Sequence, residues 1–158
     1  LSRISSVFKT LAERGQKALI AYVMAGDPSL DRTEEIVLAL EEAGADLIEL
    51  GIPFSDPVAD GPTIQKASDR ALKGKTSLQQ VLQRVGHLRG RTEIPLILMS
   101  YFNPILRMGI PWFLEVAKVS EVDGVIVPDL PVEEGEAFVE EFREAGIDLI
   151  FLAAPTTD

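Results

Sequence analysis

The sequence predicts a parallel α/β fold, and three observations predict it. Five short apolar runs recur along the 158 residues, separated by stretches with helical spacing. The runs are apolar throughout rather than alternating, as strands covered on both faces require. Hydrophobic residues make up 46% of the chain and charged residues 25%, the balance of one globular domain with a substantial core. Alternation of this kind fits either an open doubly wound sheet or a closed barrel. No Gly-x-Gly-x-x-Gly turn follows the first run, so the dinucleotide-binding sheet loses support.

Ile4, Val7, Phe8 and Leu11 keep helical spacing and predict an amphipathic lead-in helix over residues 5–13. Residues 17–24 form the first strand, buried on both faces and ended by Gly26-Asp27-Pro28-Ser29. Ile36, Val37, Leu40 and Ala43 mark a helix with acids on its outer face, closed by Gly44. The second strand carries Leu47, Ile48 and Leu50 around one carboxylate, Glu49, and breaks at Gly51 and Pro53 into an acidic loop. Gly61-Pro62 then opens a helix running to about residue 72, with proline in its first turn. Thr76 or Ser77 caps a helix carrying Leu78, Val81, Leu82 and Val85. Residues 94–101 form a third strand, followed by a helical turn to Met108 and a helix over residues 110–118. Residues 124–128 form a fourth strand, 131–144 its covering helix, and 147–153 a fifth strand.

Net charge is −10, which argues against nucleic acid or an anionic membrane surface as partner. The chain has no cysteine, no apolar run long enough to span a bilayer, and no signal-peptide core at its start. A soluble, cytoplasmic domain is the expectation.

Glu49 is the residue around which the chemistry is read. An ionised carboxylate in an apolar strand costs several kcal/mol unless it is paired, protonated or used. Pairing with an arginine or with backbone amides is the bland alternative. The loop that follows, with Asp56 and Asp60, favours use, since loops concentrate binding and catalytic groups. Neither histidine nor cysteine accompanies the strand ends, so no transition-metal site is expected. His87 reads as a surface residue and Trp112 as packing. One rival reading gathers Asp27, Asp56, Asp60 and Asp129 around Mg²⁺ for a phosphate substrate. A Schiff-base aldolase is weaker, because no lysine ends a strand. A third reading is a non-catalytic, partner-binding fragment.

The stretch Ile48-Glu49-Leu50-Gly51-Ile52-Pro53-Phe54-Ser55-Asp56-Pro57-Val58-Ala59-Asp60-Gly61 resembles the tryptophan synthase alpha chain family. Gly26-Asp27-Pro28, Ser100-Tyr101-Phe102-Asn103 and Val127-Pro128-Asp129-Leu130-Pro131 extend the resemblance along the chain. It implies a (βα)₈ TIM barrel, of which residues 1–158 are the incomplete N-terminal part: four βα units and a fifth strand. A complete barrel takes about 250 residues. The resemblance further implies a carbon–carbon lyase of tryptophan biosynthesis. The reaction is retro-aldol cleavage of indole-3-glycerol phosphate to indole and glyceraldehyde 3-phosphate.

By the same resemblance Glu49 is the acid–base glutamate, and Asp60, better solvated and ionised, binds the ring N–H. Tyr22, where the family more often has phenylalanine, Ser100, Tyr101, Val127 and Asp129 contact substrate. For Ser100, Tyr101 and Val127 ordinary packing is the alternative, and for Asp129 a loop-holding role. Pro53, Asp56 and Pro57 contact a beta chain, in an assembly of two alpha with two beta. Pyridoxal phosphate belongs to that partner, and no cofactor or metal is expected in this chain. Phosphate-binding loops and a closing loop come from later barrel units, so these residues alone are expected to turn over little.

Overall fold

The computed structural model describes residues 2–155, and within them apolar periodicity sets every element. In chain order these are α1 (Arg3–Glu13), β1 (Ile20–Met24), α2 (Leu30–Glu42), β2 (Leu47–Gly51), α3 (Pro62–Lys73), α4 (Leu78–Leu88), β3 (Leu96–Met99), α5 (Phe102–Met108), α6 (Ile110–Val119), β4 (Gly124–Ile126), α7 (Val132–Ala145) and β5 (Asp148–Ile150). The last residues of the expected tail, 156–158, lie outside the described residues. Helix starts follow local chemistry. Ser29 accepts the Arg32 N–H at α2, and Ser77 with Gln80 forms a capping box at α4. Gly146 adopts the left-handed conformation that ends α7.

The strands pair in parallel in the order β1-β2-β3-β4-β5. A doubly wound sheet reverses its order and places helices on both faces. Here the order never reverses, and α2, α4, α6 and α7 meet one face only. Val37, Leu82, Val85, Phe113 and Phe142 pack there with Ile48, Leu50, Leu98 and Val125. The opposite face carries Leu47, Ile97 and Ile126, closed from below by Ile4 and Val7 of α1. Helices on the outside and side chains stacked on the inside make this an arc of a βα barrel.

Register arranges the inner face in layers. Tyr22, Glu49, Ile97, Gly124 and Asp148 are successive neighbours across the sheet, and Met24, Gly51, Met99, Ile126 and Ile150 form the layer above. Strand alternation therefore aims Glu49 inward between Leu47 below and Gly51 above.

Two expectations need correction. The first strand is shorter than its apolar run and is not buried on both faces: Leu19 is 57% exposed and Ile20 41%. Among the described residues β1 has only β2 as a ladder partner, so one edge and part of one face stay open. Trp112 is 58% exposed on the outer side of α6 and packs in no core cluster, because Phe113 and Ala117 take the buried side of that helix. His87 does lie on the surface, with its ring 3.9 Å from Glu34.

Candidate active site

Glu49 reaches the inner face half-buried. Neither a hydrogen bond nor an ion pair to a described residue satisfies it. Burial alone pushes its pKa above the ordinary carboxylate range. The bland pairing with an arginine is therefore not what the chain builds. One wall beside it is apolar: Tyr22 and Ile64 pack on Met24, Ala67 and Ala71, bringing α3 over the end of β1.

Asp60 approaches from the loop after β2, and that loop is held at several points. Ser68 of α3 accepts the Phe54 N–H at 3.0 Å and donates to the Phe54 carbonyl at 3.1 Å. The Phe54 ring lies 5.3 Å from that of Tyr101, whose hydroxyl accepts the Ala59 N–H at 2.9 Å. Gln65 Nε2 donates to the Asp60 carbonyl at 2.8 Å. Burial also raises the Asp60 pKa, and a hydrogen bond from the Tyr101 hydroxyl opposes that rise. The two carboxyls thus differ less by solvation than the sequence suggested. Asp60 is the less buried of the two, and Tyr101 favours its ionised form, whereas no described group does so for Glu49.

Tyr22 and Tyr101 complete the cluster. Burial raises the pKa of both phenols; for Tyr22 the charges of Asp60 and Glu49 add to the effect, and for Tyr101 that of Asp60 does. Four groups, Tyr22, Glu49, Asp60 and Tyr101, share one electrostatic neighbourhood at the carboxyl ends of β1–β3. A neutral carboxyl here can donate a proton, and an ionised one in the same neighbourhood can stabilise positive charge.

Other expected site residues sit elsewhere. Val127 packs in the core between sheet and helices, on the face away from Glu49. Ser100 is buried, and its hydroxyl donates to the Tyr101 carbonyl at 3.0 Å. The inner-facing positions are their neighbours Met99 and Ile126, in register with Gly51. Those two were missed because β3 and β4 are apolar on both faces, which hides the parity that Glu49 reveals in β2. Asp129 accepts the Phe102 N–H at 2.9 Å and so holds the start of α5, the loop-holding role.

The four aspartates of the Mg²⁺ reading are not gathered. Asp27 is gripped by Arg70 through two bonds of 2.8 and 2.7 Å, Asp129 holds α5, and Asp56 accepts from Ser55 at 2.6 Å. Among the described residues no group of three acids or histidines is placed to share a cation. No helix of the described residues is long and apolar enough to cross a membrane.

On the outer side of the same loop, Pro53 is buried, Pro57 is half-buried and Asp56 is exposed. Pro53, Phe54 and Ser55 line an open cleft of about 570 Å³ with Pro104, Arg107 and Met108.

Residues 8–158 match the family model for the tryptophan synthase alpha chain. Tryptophan synthase alpha chains from Geotalea uraniireducens and Citrifermentans bemidjiense are 52% and 54% identical over 158 residues, covering all of this chain and 59% of each relative. The crystal structure of tryptophan synthase subunit alpha from Legionella pneumophila superposes with a TM-score of 0.97 at 40% identity, covering 100% of this chain and 61% of that one. The tryptophan synthase α2β2 complex from Pyrococcus furiosus matches 89% of this chain and 60% of its counterpart, at 50% identity and a TM-score of 0.85. The chain therefore spans about three-fifths of the length of the relatives it matches.

Proposed function

This chain belongs to the tryptophan synthase alpha chain family, and we propose that it carries the acid–base groups that cleave indole-3-glycerol phosphate. Glu49 carries the proposal: a carboxyl with no partner among the described residues, raised by burial, on the inner face and sharing with Asp60 the surroundings of Tyr22.

Protonated Glu49 gives its proton to the ring carbon that bears the side chain. The ring becomes a cation, and the Asp60 carboxylate, whose ionised form Tyr101 favours against the effect of burial, accepts the ring N–H and stabilises that charge. Glu49, now a carboxylate, takes the proton of the side-chain hydroxyl next to the breaking bond. The carbon–carbon electron pair returns to the ring, indole leaves, and the hydroxyl carbon becomes the aldehyde of glyceraldehyde 3-phosphate. Glu49 ends protonated, so the cycle closes without another proton carrier. Met24, Ile64, Ala67 and the ring of Tyr22 form the apolar wall for the indole.

The exposed Asp56, with Pro53 and Pro57, forms the face for a beta chain, and the cleft beside Pro104 and Arg107 extends it. Pyridoxal phosphate belongs to that partner, this chain needs no cofactor, and the protein works in the cytoplasm as two alpha with two beta chains.

The test is indole release from indole-3-glycerol phosphate by this chain carried to the full length of its relatives. Wild type should release indole, and Glu49→Gln should not. A Glu49→Gln protein that kept its rate would overturn the assignment.

A further inference from the structure

We propose that the hydroxyl of Tyr22 is a substrate-binding donor for a hydroxyl oxygen of the substrate's polyol side chain, a role separate from the packing of its ring. The inference rests on the reading of the site given above. Tyr22 on β1 is the register partner of Glu49 on β2. Its ring does not stand over that partner but leans toward the mouth. A Cβ placed on Gly51 would lie 2.0 Å from the Tyr22 hydroxyl and 2.7 Å from the ring carbon bearing it. Gly51 is the next inward-facing residue after Glu49, so only the missing side chain there lets the phenol cross from one strand to the next. The hydroxyl therefore sits against Gly51, one inward position beyond Glu49 on β2.

Its bonding differs from that of the other phenol in the mouth. The Tyr101 hydroxyl accepts the Ala59 N–H and acts on Asp60. The Tyr22 hydroxyl makes no hydrogen bond to any described residue. It lies half-buried near Asp60 and Glu49, whose charges help keep it protonated and therefore a donor. In the proposed reaction Glu49 takes the proton of the hydroxyl at the breaking bond. The next oxygen of the same side chain then needs a donor of its own, and the Tyr22 hydroxyl is a donor near Glu49 that no described residue engages. A site that offers a donor to a substrate hydroxyl discriminates against analogues that lack it.

The experiment uses the full-length protein, its Tyr22→Phe variant and two ligands: indole-3-glycerol phosphate, and 3-(indol-3-yl)propyl phosphate, which lacks the side-chain hydroxyls. Tyr22→Phe keeps the ring and its packing. It should raise KM for the substrate about three- to tenfold, the range of one neutral hydrogen bond. Inhibition by the deoxygenated analogue should stay within about twofold of wild type, because that analogue has no oxygen to lose a bond from. Equal weakening of both ligands would assign Tyr22 to ring packing alone and overturn the inference, as would no change in either. Wild type that cleaves substrate while the variant's KM stays put would remove this inference and leave the acid–base reading intact. Wild type that neither binds nor cleaves would remove both.

Discussion

The two ends of the barrel arc treat buried charge in opposite ways. At the amino ends of the strands, Arg89 and Asp123 are 4% and 5% exposed and form an ion pair. Asp123 also accepts the Leu96 N–H at 2.8 Å and a bond from Arg3 at 3.2 Å. Arg89 donates to the Glu121 and Ile94 carbonyls at 2.9 and 2.7 Å. Burial draws the Arg89 pKa down, and Asp123 pulls it back. Arg3 adds bonds of 2.9 and 2.6 Å to Glu93 and Glu121, tying α1 across the base. At the carboxyl ends Glu49 has no such partner. Desolvation of the Arg89–Asp123 pair is offset by hydrogen bonds below, that of Glu49 is left uncompensated above, and the carboxyl end is where βα barrels do chemistry.

Removing the unpaired charge sharpens this contrast most. Glu49→Gln in the full-length protein should lower indole release by about 10²–10⁴-fold, the usual share of general acid–base catalysis. The same variant should be more stable than wild type at neutral pH. A carboxyl whose folded pKa is raised contributes full stability below its unfolded pKa and loses it as pH rises through the folded value. Glutamine never ionises, so the gain should vanish in acid. Thermal melts at pH 4 and pH 8 check this, and a variant less stable than wild type at both would sink the idea that Glu49 is strained by burial.

Breaking the paired end should do the reverse. Asp123→Ala leaves Arg89 buried without its counter-ion and should cost about 3–5 kcal/mol in denaturant unfolding. Whatever folded fraction remains should keep the wild-type KM, since Asp123 lies at the opposite end of the strands. A large KM change in soluble, folded Asp123→Ala would show that the two ends are not separable.

The same physics decides how much was legible beforehand. Glu49 stands out in the sequence because one carboxylate interrupts an otherwise apolar strand, and the element order follows from runs and breaks. Parity was legible only there. In β3, Leu96 to Met99 are all apolar, so nothing in the letters separates Met99, facing in, from Ser100, whose hydroxyl donates to the Tyr101 carbonyl. Val127 failed for the same reason. Residues that fix the loop, such as Ser68 and Gln65, were invisible because their bonds reach across 14 and 5 residues to backbone atoms. Strand ends ran long because apolarity continues past the ladder: Ile94 and Tyr101 are buried but unpaired in β3.

A smaller effect tests whether the mouth is built as tightly as the base. Gly51→Ala drives a methyl into the Tyr22 phenol and should cost about 1–3 kcal/mol, the range for overpacking a filled site. Tyr22→Phe in the same protein should recover part of the loss, because the ring carbon still lies 2.7 Å from the new methyl. Full additivity of the two changes in denaturant unfolding would contradict that contact.

The smallest expected effect bears on the phenol that favours the ionised form of Asp60. The Tyr101 hydroxyl accepts the Ala59 N–H and favours the ionised form of Asp60. Tyr101→Phe keeps the ring against Phe54 and should cost only about 0.5–1.5 kcal/mol of stability, since the exposed Ala59 N–H turns to water. The consequence for catalysis has a sign. With the phenol gone, burial acts on Asp60 unopposed and its pKa rises further. The proposed cleavage uses ionised Asp60, so the acid limb of kcat/KM should move to higher pH while activity well above that limb falls little. Glu49 makes no bond to Tyr101, so the alkaline limb, where Glu49 must hold a proton, should stay nearer its wild-type position. An acid limb that stayed in place would mean that Asp60 is not the charged partner of the ring, and the asymmetry between the two carboxyls would then need another source.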